Sequence, residues 1–165
     1  MRNLKLSSAY VQAIGLMVML AELPENETLK SIEISQRMNV SHSYLQKIAA
    51  KLRKKELIEA QASKQGGYKL KKELEAITFL DIFGAIEGEQ QFLHDINLEP
   101  IQAMFINQQL VEEKSINVIQ IHSEAEQAYR KQLEQHYLVE ILPKDGNGNY
   151  LQIDWKSIIT HDGRK

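Results

Sequence analysis

A basic amphipathic helix followed by a glycine-tipped hairpin, over residues 41–70, constrains the fold of this chain more than any other feature. Apolar side chains recur along the helix at three- and four-residue spacing, which predicts one buried stripe. The stripe consists of Leu45, Ile48, Ala49 and Leu52. Cations and short polar side chains lie mostly outside it, namely Ser43, Gln46, Lys47, Lys51, Lys54 and Lys55. A helix anchored on one side and basic on the other suits the negatively charged groove of a nucleic acid.

The charges are distributed unevenly along the chain. Residues 1–72 contain 13 Lys and Arg against 6 Asp and Glu, and residues 73–165 contain the other 7 against 16. A basic amino-terminal unit joined to an acidic remainder indicates a polyanion-binding module followed by a region that does not contact the polyanion.

Composition limits the chemistry of the chain. Its 165 residues are 43% apolar, which is enough for one core with a helical appendage. Cysteine is absent, which excludes disulfides, thiol nucleophiles and zinc or iron–sulfur sites held by cysteine, and which fits a cytoplasmic protein. Walker loops, nucleophile elbows and His-Glu-x-x-His motifs are also missing, so neither an enzyme nor a metal site is expected.

The first helix is predicted from an apolar run over residues 14–21. Ser7 or Ser8 can cap it, and it should end near Leu23. The run is too short to span a bilayer and lacks a clean cleavage site, so a buried helix is expected instead of a signal peptide or membrane span.

The second helix is predicted over residues 29–38, capped by Thr28, with Ile32 and Met38 directed to the core. Asn39 can take the left-handed conformation of a tight turn. Ser41 then caps the third helix, which completes a helix-turn-helix layout.

Two short strands are predicted after this helix, at residues 57–60 and 68–70. Gly66 and Gly67 lie in the loop between them and permit positive φ and a close approach of the backbone to phosphate. A hairpin beside a helix-turn-helix makes a winged helix.

Several motifs then match a known family in order and spacing. They are Ser43-Tyr44-Leu45, Lys51-Leu52-Arg53-Lys54, Leu57-Ile58, residues 66–70 and residues 77–88. With these, the chain resembles the Rrf2 family of bacterial transcriptional regulators over roughly residues 1–88, and less specifically along a helix near 115–136. The resemblance implies a dimeric winged-helix DNA-binding protein.

The chain departs from the family pattern in two places. Many relatives carry an Arg-Gly pair entering the wing, where this chain has Ala62-Ser63, so minor-groove reading would pass to Lys64 or Gln65. Relatives that bind an iron–sulfur cluster have three cysteines in the stretch that corresponds to residues 89–100, which has none. No cofactor is therefore expected.

The predicted DNA contacts lie on the third helix and the wing. Ser41 caps the helix, His42, Ser43 and Gln46 are candidates for base edges, Lys47 and Lys51 for phosphates, and Tyr44 for packing or the DNA backbone. The wing would contribute Lys64, Gln65, Gly66 and Gly67.

A long helix is predicted near residues 115–136, and the resemblance implies that it forms the dimer interface, with packing inside its own chain as the alternative. Its apolar stripe contains Val118, Ile121, His122, Ala125, Tyr129 and Leu133. Residues 116–121 are β-branched enough that the first turn could instead be extended. Before this helix, Thr78 and Asp81 predict a short capped helix. After it, residues 150–155 could form a strand or residues 155–159 a helix.

The fold class is therefore mainly α, with a winged helix-turn-helix domain at residues 1–88 and a dimerisation or effector region at 89–165. The expected function is a homodimeric regulator, a repressor, that binds a pseudo-palindromic operator and responds to a small-molecule or protein effector. The alternative is a winged-helix module that has lost DNA recognition and binds a protein.

Overall fold

The computed structural model describes residues 6–63, 66–91 and 97–162. Residue contacts divide the chain into two compact units. The first unit combines residues 1–88 with residues 136–165, and the second comprises residues 89–135. The first segment of the first unit ends at Gly88, and residues 89–165 are divided between the two units.

Seven α-helices and one antiparallel pair of strands lie in the described part of the chain. The first unit contains α1 (Ser8–Ala21), α2 (Ser31–Met38), α3 (His42–Lys54), β1 (Ile58–Ala60), β2 (Tyr68–Leu70), α4 (Phe79–Glu87) and α7 (Trp155–Asp162). The second contains α5 (Glu99–Gln102) and α6 (Gln108–Glu134). Two 3-10 turns, Leu74–Ala76 and Leu138–Ile141, belong to the first unit.

The first helix is the central helix of its unit. Ser7 is its N-cap, with Oγ accepting a hydrogen bond from the Tyr10 amide at 3.0 Å, which confirms the predicted cap. Leu16 and Met17 are fully buried, and α1 packs against α2, α3 and α4. An apolar run of this kind therefore forms a buried core helix.

The second helix begins later than predicted, at Ser31, with Lys30 and not Thr28 at the N-cap position. The reason is that Leu29 pairs with Tyr68 of the wing: each amide donates to the other's carbonyl, at 3.0 Å and 2.7 Å. This pairing keeps Leu29 extended and buried. Within α2, Ile34 is buried and Ile32 is 42% exposed, so the expected core position of Ile32 is wrong.

The turn and the third helix follow the prediction. Asn39 has φ 53° and ψ 50°, the left-handed conformation that allows a tight turn. Ser41 is the N-cap of α3. The whole predicted stripe of α3 is buried, at Leu45, Ile48, Ala49 and Leu52.

The wing is a hairpin in which Ile58 pairs with Leu70, Glu59 with Lys69 and Ala60 with Tyr68. Gly67 does not use the positive φ that glycine permits. Both glycines are needed for close packing within the chain. A Cβ on Gly67 would lie 2.4 Å from the Leu29 carbonyl, and a Cβ on Gly66 would lie 1.9 Å from the backbone carbonyl oxygen of Gln61.

The fourth helix has the predicted capping box. Thr78 Oγ1 accepts from the Asp81 amide at 3.1 Å, and Asp81 Oδ2 accepts from the Thr78 amide at 2.9 Å. Tyr10 of α1 meets Phe83 of α4 edge to face, with ring centroids 5.4 Å apart. These contacts fix α4 against the core.

The second unit is dominated by α6, which begins at Gln108, several residues before the predicted start. Asn107 is its N-cap and accepts a hydrogen bond from the Gln109 amide at 2.9 Å. Residues 116–121 are helical, so the extended alternative for them is wrong. Within α6 the buried Glu126 pairs with Arg130 at 2.8 Å.

The carboxyl-terminal segment returns to the first unit. The Phe79 amide donates to the His136 carbonyl at 2.9 Å, and Lys144 and Tyr150 form an isolated antiparallel bridge. Trp155 begins a helix, which decides between the two structures left open for residues 150–159. No helix in the described residues is both long enough and apolar enough to cross a membrane.

Candidate nucleic-acid interface

The outward face of α3 is polar and basic. Ser43, Gln46 and Lys47 are exposed on the side opposite the buried stripe, as predicted from the helical period. Arg53 and Lys54 extend this face towards the carboxyl end of the helix and are also exposed. Side chains of this kind can reach base edges and phosphates if the helix enters a groove.

Three cations of α3 have neither an ion-pair nor a hydrogen-bond partner among the described residues: Lys47, Arg53 and Lys54. Arg53 and Lys54 were not among the predicted DNA contacts. Their positions were nevertheless visible in the sequence, because Lys54 is three helical turns from Ser43 and shares its face. An unpaired, hydrated cation can bind a phosphate at a lower free-energy cost than a cation that must first leave a partner within the protein.

Lys51 differs from these three. Its Nζ donates to the Ile86 carbonyl oxygen at 2.8 Å, close to the carboxyl end of α4. A helix carboxyl terminus carries partial negative charge and attracts a cation. Lys51 therefore ties α3 to α4, whereas the sequence predicted a phosphate contact for it.

The amino end of α3 contains the other predicted contacts. Ser41 Oγ lies 3.5 Å from the Tyr44 amide and 3.1 Å from Ser43 Oγ. His42 is half-buried, and its Nε2 lies 2.8 Å from Ser31 Oγ of α2, so this ring nitrogen is already engaged. Tyr44 is 40% exposed, which leaves its hydroxyl accessible.

A cleft of about 340 Å³ separates the wing from the amino ends of α2 and α3. It is lined by Lys30, Ser31, Ile32, His42, Ala60, Gln61, Gly66, Gly67 and Tyr68. Lys64 and Gln65, the predicted minor-groove contacts, lie outside the described residues.

The strands of the wing carry little free positive charge. Lys69 pairs with Glu59 at 3.2 Å and Lys71 with Glu56 at 2.6 Å. The hydrogen bond from Lys71, helped by its charge, lowers the pKa of Glu56, and the same contact raises the pKa of Lys71. The available positive charge in this part of the unit therefore comes mainly from α3.

The predicted dimer stripe of α6 is partly accessible in the single chain. Ile121 is 63% exposed, and His122 and Ala125 are exposed as well. Val118, Tyr129 and Leu133 are half-buried. Other apolar residues of α6, outside the predicted stripe, are also exposed: Leu110, Ile116 and Ile119.

These features define a winged helix-turn-helix protein whose third helix presents an exposed basic face. Comparison with known proteins agrees. The family model of the Rrf2 proteins, described as iron-dependent transcriptional regulators, matches residues 6–144. The chain belongs to the Rrf2 family, whose members are transcriptional regulators and not enzymes.

Two curated relatives illustrate this similarity. The protein YffB of Lactococcus lactis, described as an HTH-type transcriptional regulator, is 46% identical over 85 residues, which cover 52% of this chain and 54% of YffB. The HTH-type transcriptional regulator IscR of Cereibacter sphaeroides is 36% identical over 75 residues, 46% of this chain and 48% of IscR. The chain thus spans about half the length of the curated relatives it matches.

Solved structures share the fold. CymR, the global cysteine regulator of B. subtilis, has a TM-score of 0.58 at 24% identity, covering 84% of this chain and 96% of CymR. A transcriptional regulator from Listeria innocua has a TM-score of 0.59 at 18% identity, covering 93% and 99%.

The residues present do not fit the iron in the family description. The sequence contains no cysteine, so it cannot hold a cysteine-ligated cluster. Within the described residues, no group of three or more His, Asp or Glu side chains could hold a metal ion.

Proposed function

We propose that the protein is a homodimeric, sequence-specific DNA-binding transcriptional repressor. The observation that carries this proposal is the exposed face of α3, where Lys47, Arg53 and Lys54 have no partner among the described residues and lie beside the polar Ser43 and Gln46. Unpaired cations supply phosphate affinity, and short polar side chains supply base reading.

Each exposed group has a distinct role in this proposal. Ser43 and Gln46 read base edges in the major groove, and Lys47, Arg53 and Lys54 contact phosphates on its rims. The backbone at Gly66 and Gly67 brings the wing to the adjacent strand. The described contact of His42 with Ser31 gives His42 a supporting role at the start of α3.

The accessible apolar side chains of α6 support the homodimer. Ile121 and Ala125 share one side of this helix with the half-buried Val118, and a second copy could cover them together. A two-fold dimer predicts an operator with half-sites about one helical turn, roughly 34 Å, apart. A small-molecule or protein effector that favours one arrangement of the two α3 helices would then control binding.

Selection of binding sites from randomised duplex DNA tests the proposal. The purified protein should be used at about 0.1 M salt, where nonspecific phosphate attraction is already weakened. We expect enrichment of a two-fold-symmetric sequence. A folded protein that enriches no sequence, either alone or with cell extract as a source of effector, would contradict it.

The base-reading role of Gln46 can be tested on the selected site. Gln46→Ala should cost about 1–3 kcal/mol at one base position and relax the preference there. Gln36→Ala, at an exposed position of α2, is the matched control. If the Gln46 variant has the same base preference as the wild type, Gln46 does not read a base.

The wing supports a second candidate function, a protein-binding module. Ala62-Ser63 stands where many relatives carry an Arg-Gly pair. Lys69 and Lys71 are each paired with a glutamate. A protein partner bound with little salt dependence, in the absence of any DNA preference, would favour this candidate.

The sign of regulation is testable separately. A reporter driven by a promoter that overlaps the selected site should lose expression when the protein is produced, because the bound dimer excludes polymerase. Increased expression would indicate an activator.

A further inference from the structure

The segment 145–162 extends beyond the family match, which ends at residue 144, and it lies in the same compact unit as the helix-turn-helix. The Ile153 amide donates to the Glu22 carbonyl at the end of α1, at 2.7 Å. Asp154 then caps α7, accepting from the Ser157 amide at 3.0 Å, and α7 packs against α2. The segment is therefore docked on α1 and α2.

Trp155 is the residue through which this segment meets the helix-turn-helix. The guanidinium carbon of Arg37, on α2, lies 5.3 Å from the centre of the indole ring, within the range of a cation–π contact. On the α1 side, burial raises the pKa of the Glu22 carboxyl group and Trp155 opposes this rise. Trp155 thus contacts α2, and its neighbour Ile153 is bonded to the residue that follows α1.

Contacts outside the helix matter for α2 because it is short. It has 8 residues, of which only Ile34 and Ser35 are buried. A helix of this length has little stability of its own and depends on tertiary packing. At its amino end, Ser31 hydrogen-bonds His42, the first residue of α3. A displacement of α2 would therefore reach the start of the candidate recognition helix.

We propose that residues 145–162 form a carboxyl-terminal brace and that Trp155 is its positioning residue, holding α2 so that α3 has the orientation required for specific DNA. The inference rests on the proposed DNA-binding function. The brace contributes to specific binding through α2 and leaves the phosphate-contacting cations of α3 unchanged.

Binding of the selected duplex and of an unrelated duplex to the full chain tests this inference, measured by fluorescence anisotropy. Trp155→Ala should weaken binding to the selected duplex about tenfold, a typical coupling through packed elements, and change binding to the unrelated duplex less than about twofold. Trp155→Phe keeps a ring beside Arg37 and should restore most of the affinity. Ile158→Ala, on an exposed part of α7, is the matched control.

Hydrogen exchange provides a readout of the brace in the free protein. Amides of α2 should exchange faster in Trp155→Ala, whereas amides of α4 should not change. Wild-type affinity and unchanged α2 exchange in a folded Trp155→Ala variant would overturn the inference. If the wild-type protein selects no DNA sequence, the proposed function fails instead, and the exchange of α2 still tests the brace.

A second variant applies if Trp155→Ala does not fold. Arg37→Ala removes the exposed α2 side chain that contacts Trp155. Because Trp155 is the single tryptophan of the chain, its fluorescence reports directly on the brace. We expect increased acrylamide quenching and weaker specific binding with an unchanged salt dependence. Unchanged quenching and affinity would overturn the inference, and a reduced salt slope would assign Arg37 to a phosphate instead.

Discussion

The cations of α3 differ in what their charged ends contact. Lys47 is exposed and unpaired among the described residues, whereas Lys51, one turn later, donates to the Ile86 carbonyl at 2.8 Å. Both lie outside the apolar stripe of the helix, so residue type and period alone treat them alike. The difference depends on α4, which approaches one flank of α3 only.

Lys47→Ala and Lys51→Ala should therefore affect DNA binding differently. Lys47→Ala should reduce the slope of log affinity against log salt by about one, the value for one lost phosphate contact. Lys51→Ala should leave this slope unchanged, because its ammonium is already bound within the protein. Anisotropy titrations at several salt concentrations measure both slopes, and equal reductions would show that Lys51 also contacts phosphate.

Glu22 makes stability depend on pH. Burial raises the pKa of its carboxyl group above the usual 4.5, and Trp155 opposes this rise. The folded state therefore binds this proton more tightly than the unfolded state. The resulting stability is fully present below the unfolded pKa and is lost as pH rises through the folded pKa.

Glu22→Gln should remove this loss of stability with rising pH. At about pH 7 we expect the Gln variant to melt at a higher temperature than the wild type, and the difference should shrink towards about pH 4. Glu25→Gln, at an exposed position of the same turn, is the control and should show neither effect. A difference in melting temperature that does not vary with pH would contradict the raised pKa.

At the scale of elements, the wing and the start of α2 form one structure. The Leu29–Tyr68 pairing adds the segment before α2 to the hairpin, and Gly67 packs against the Leu29 backbone. The glycines of the wing loop are consequently required by the fold itself, whatever the wing contacts in DNA.

Gly67→Ala should destabilise the protein, because the new Cβ would lie 2.4 Å from backbone atoms of Leu29. We expect a loss of about 1–3 kcal/mol in the free energy of unfolding, the usual cost of overpacking. Gly146→Ala, with no atom within 4 Å of its added Cβ, is the control. Denaturant unfolding measures both, and equal stabilities would show that the wing can shift away from Leu29.

At the scale of the whole molecule, the proposed homodimer depends on α6. Ile121→Glu should convert a dimer to a monomer, since a charge would be buried without a partner in the interface. The substitution should cost the single chain little, because Ile121 is 63% exposed there. Gln127→Glu, exposed on another side of α6, should remain dimeric. Sedimentation velocity distinguishes the two masses, and a dimeric Ile121 variant would place the interface elsewhere.

The sequence by itself determined the helix-turn-helix, the wing and the exposed face of α3. These depend on local rules: apolar period, caps at Ser7 and Ser41, the left-handed turn at Asn39 and the capping box at Thr78. Each rule acts between residues only a few positions apart, so it can be read without knowledge of the fold.

Only the tertiary structure decided the features that join distant segments. The pairing of Leu29 with Tyr68 shortened α2, the carbonyl of Ile86 engaged Lys51, and α2 received Trp155 from the end of the chain. A backbone amide, a carbonyl oxygen and an aromatic face have no distinctive sequence pattern. Their partners are chosen by packing, which is why these contacts could not be predicted from the residues alone.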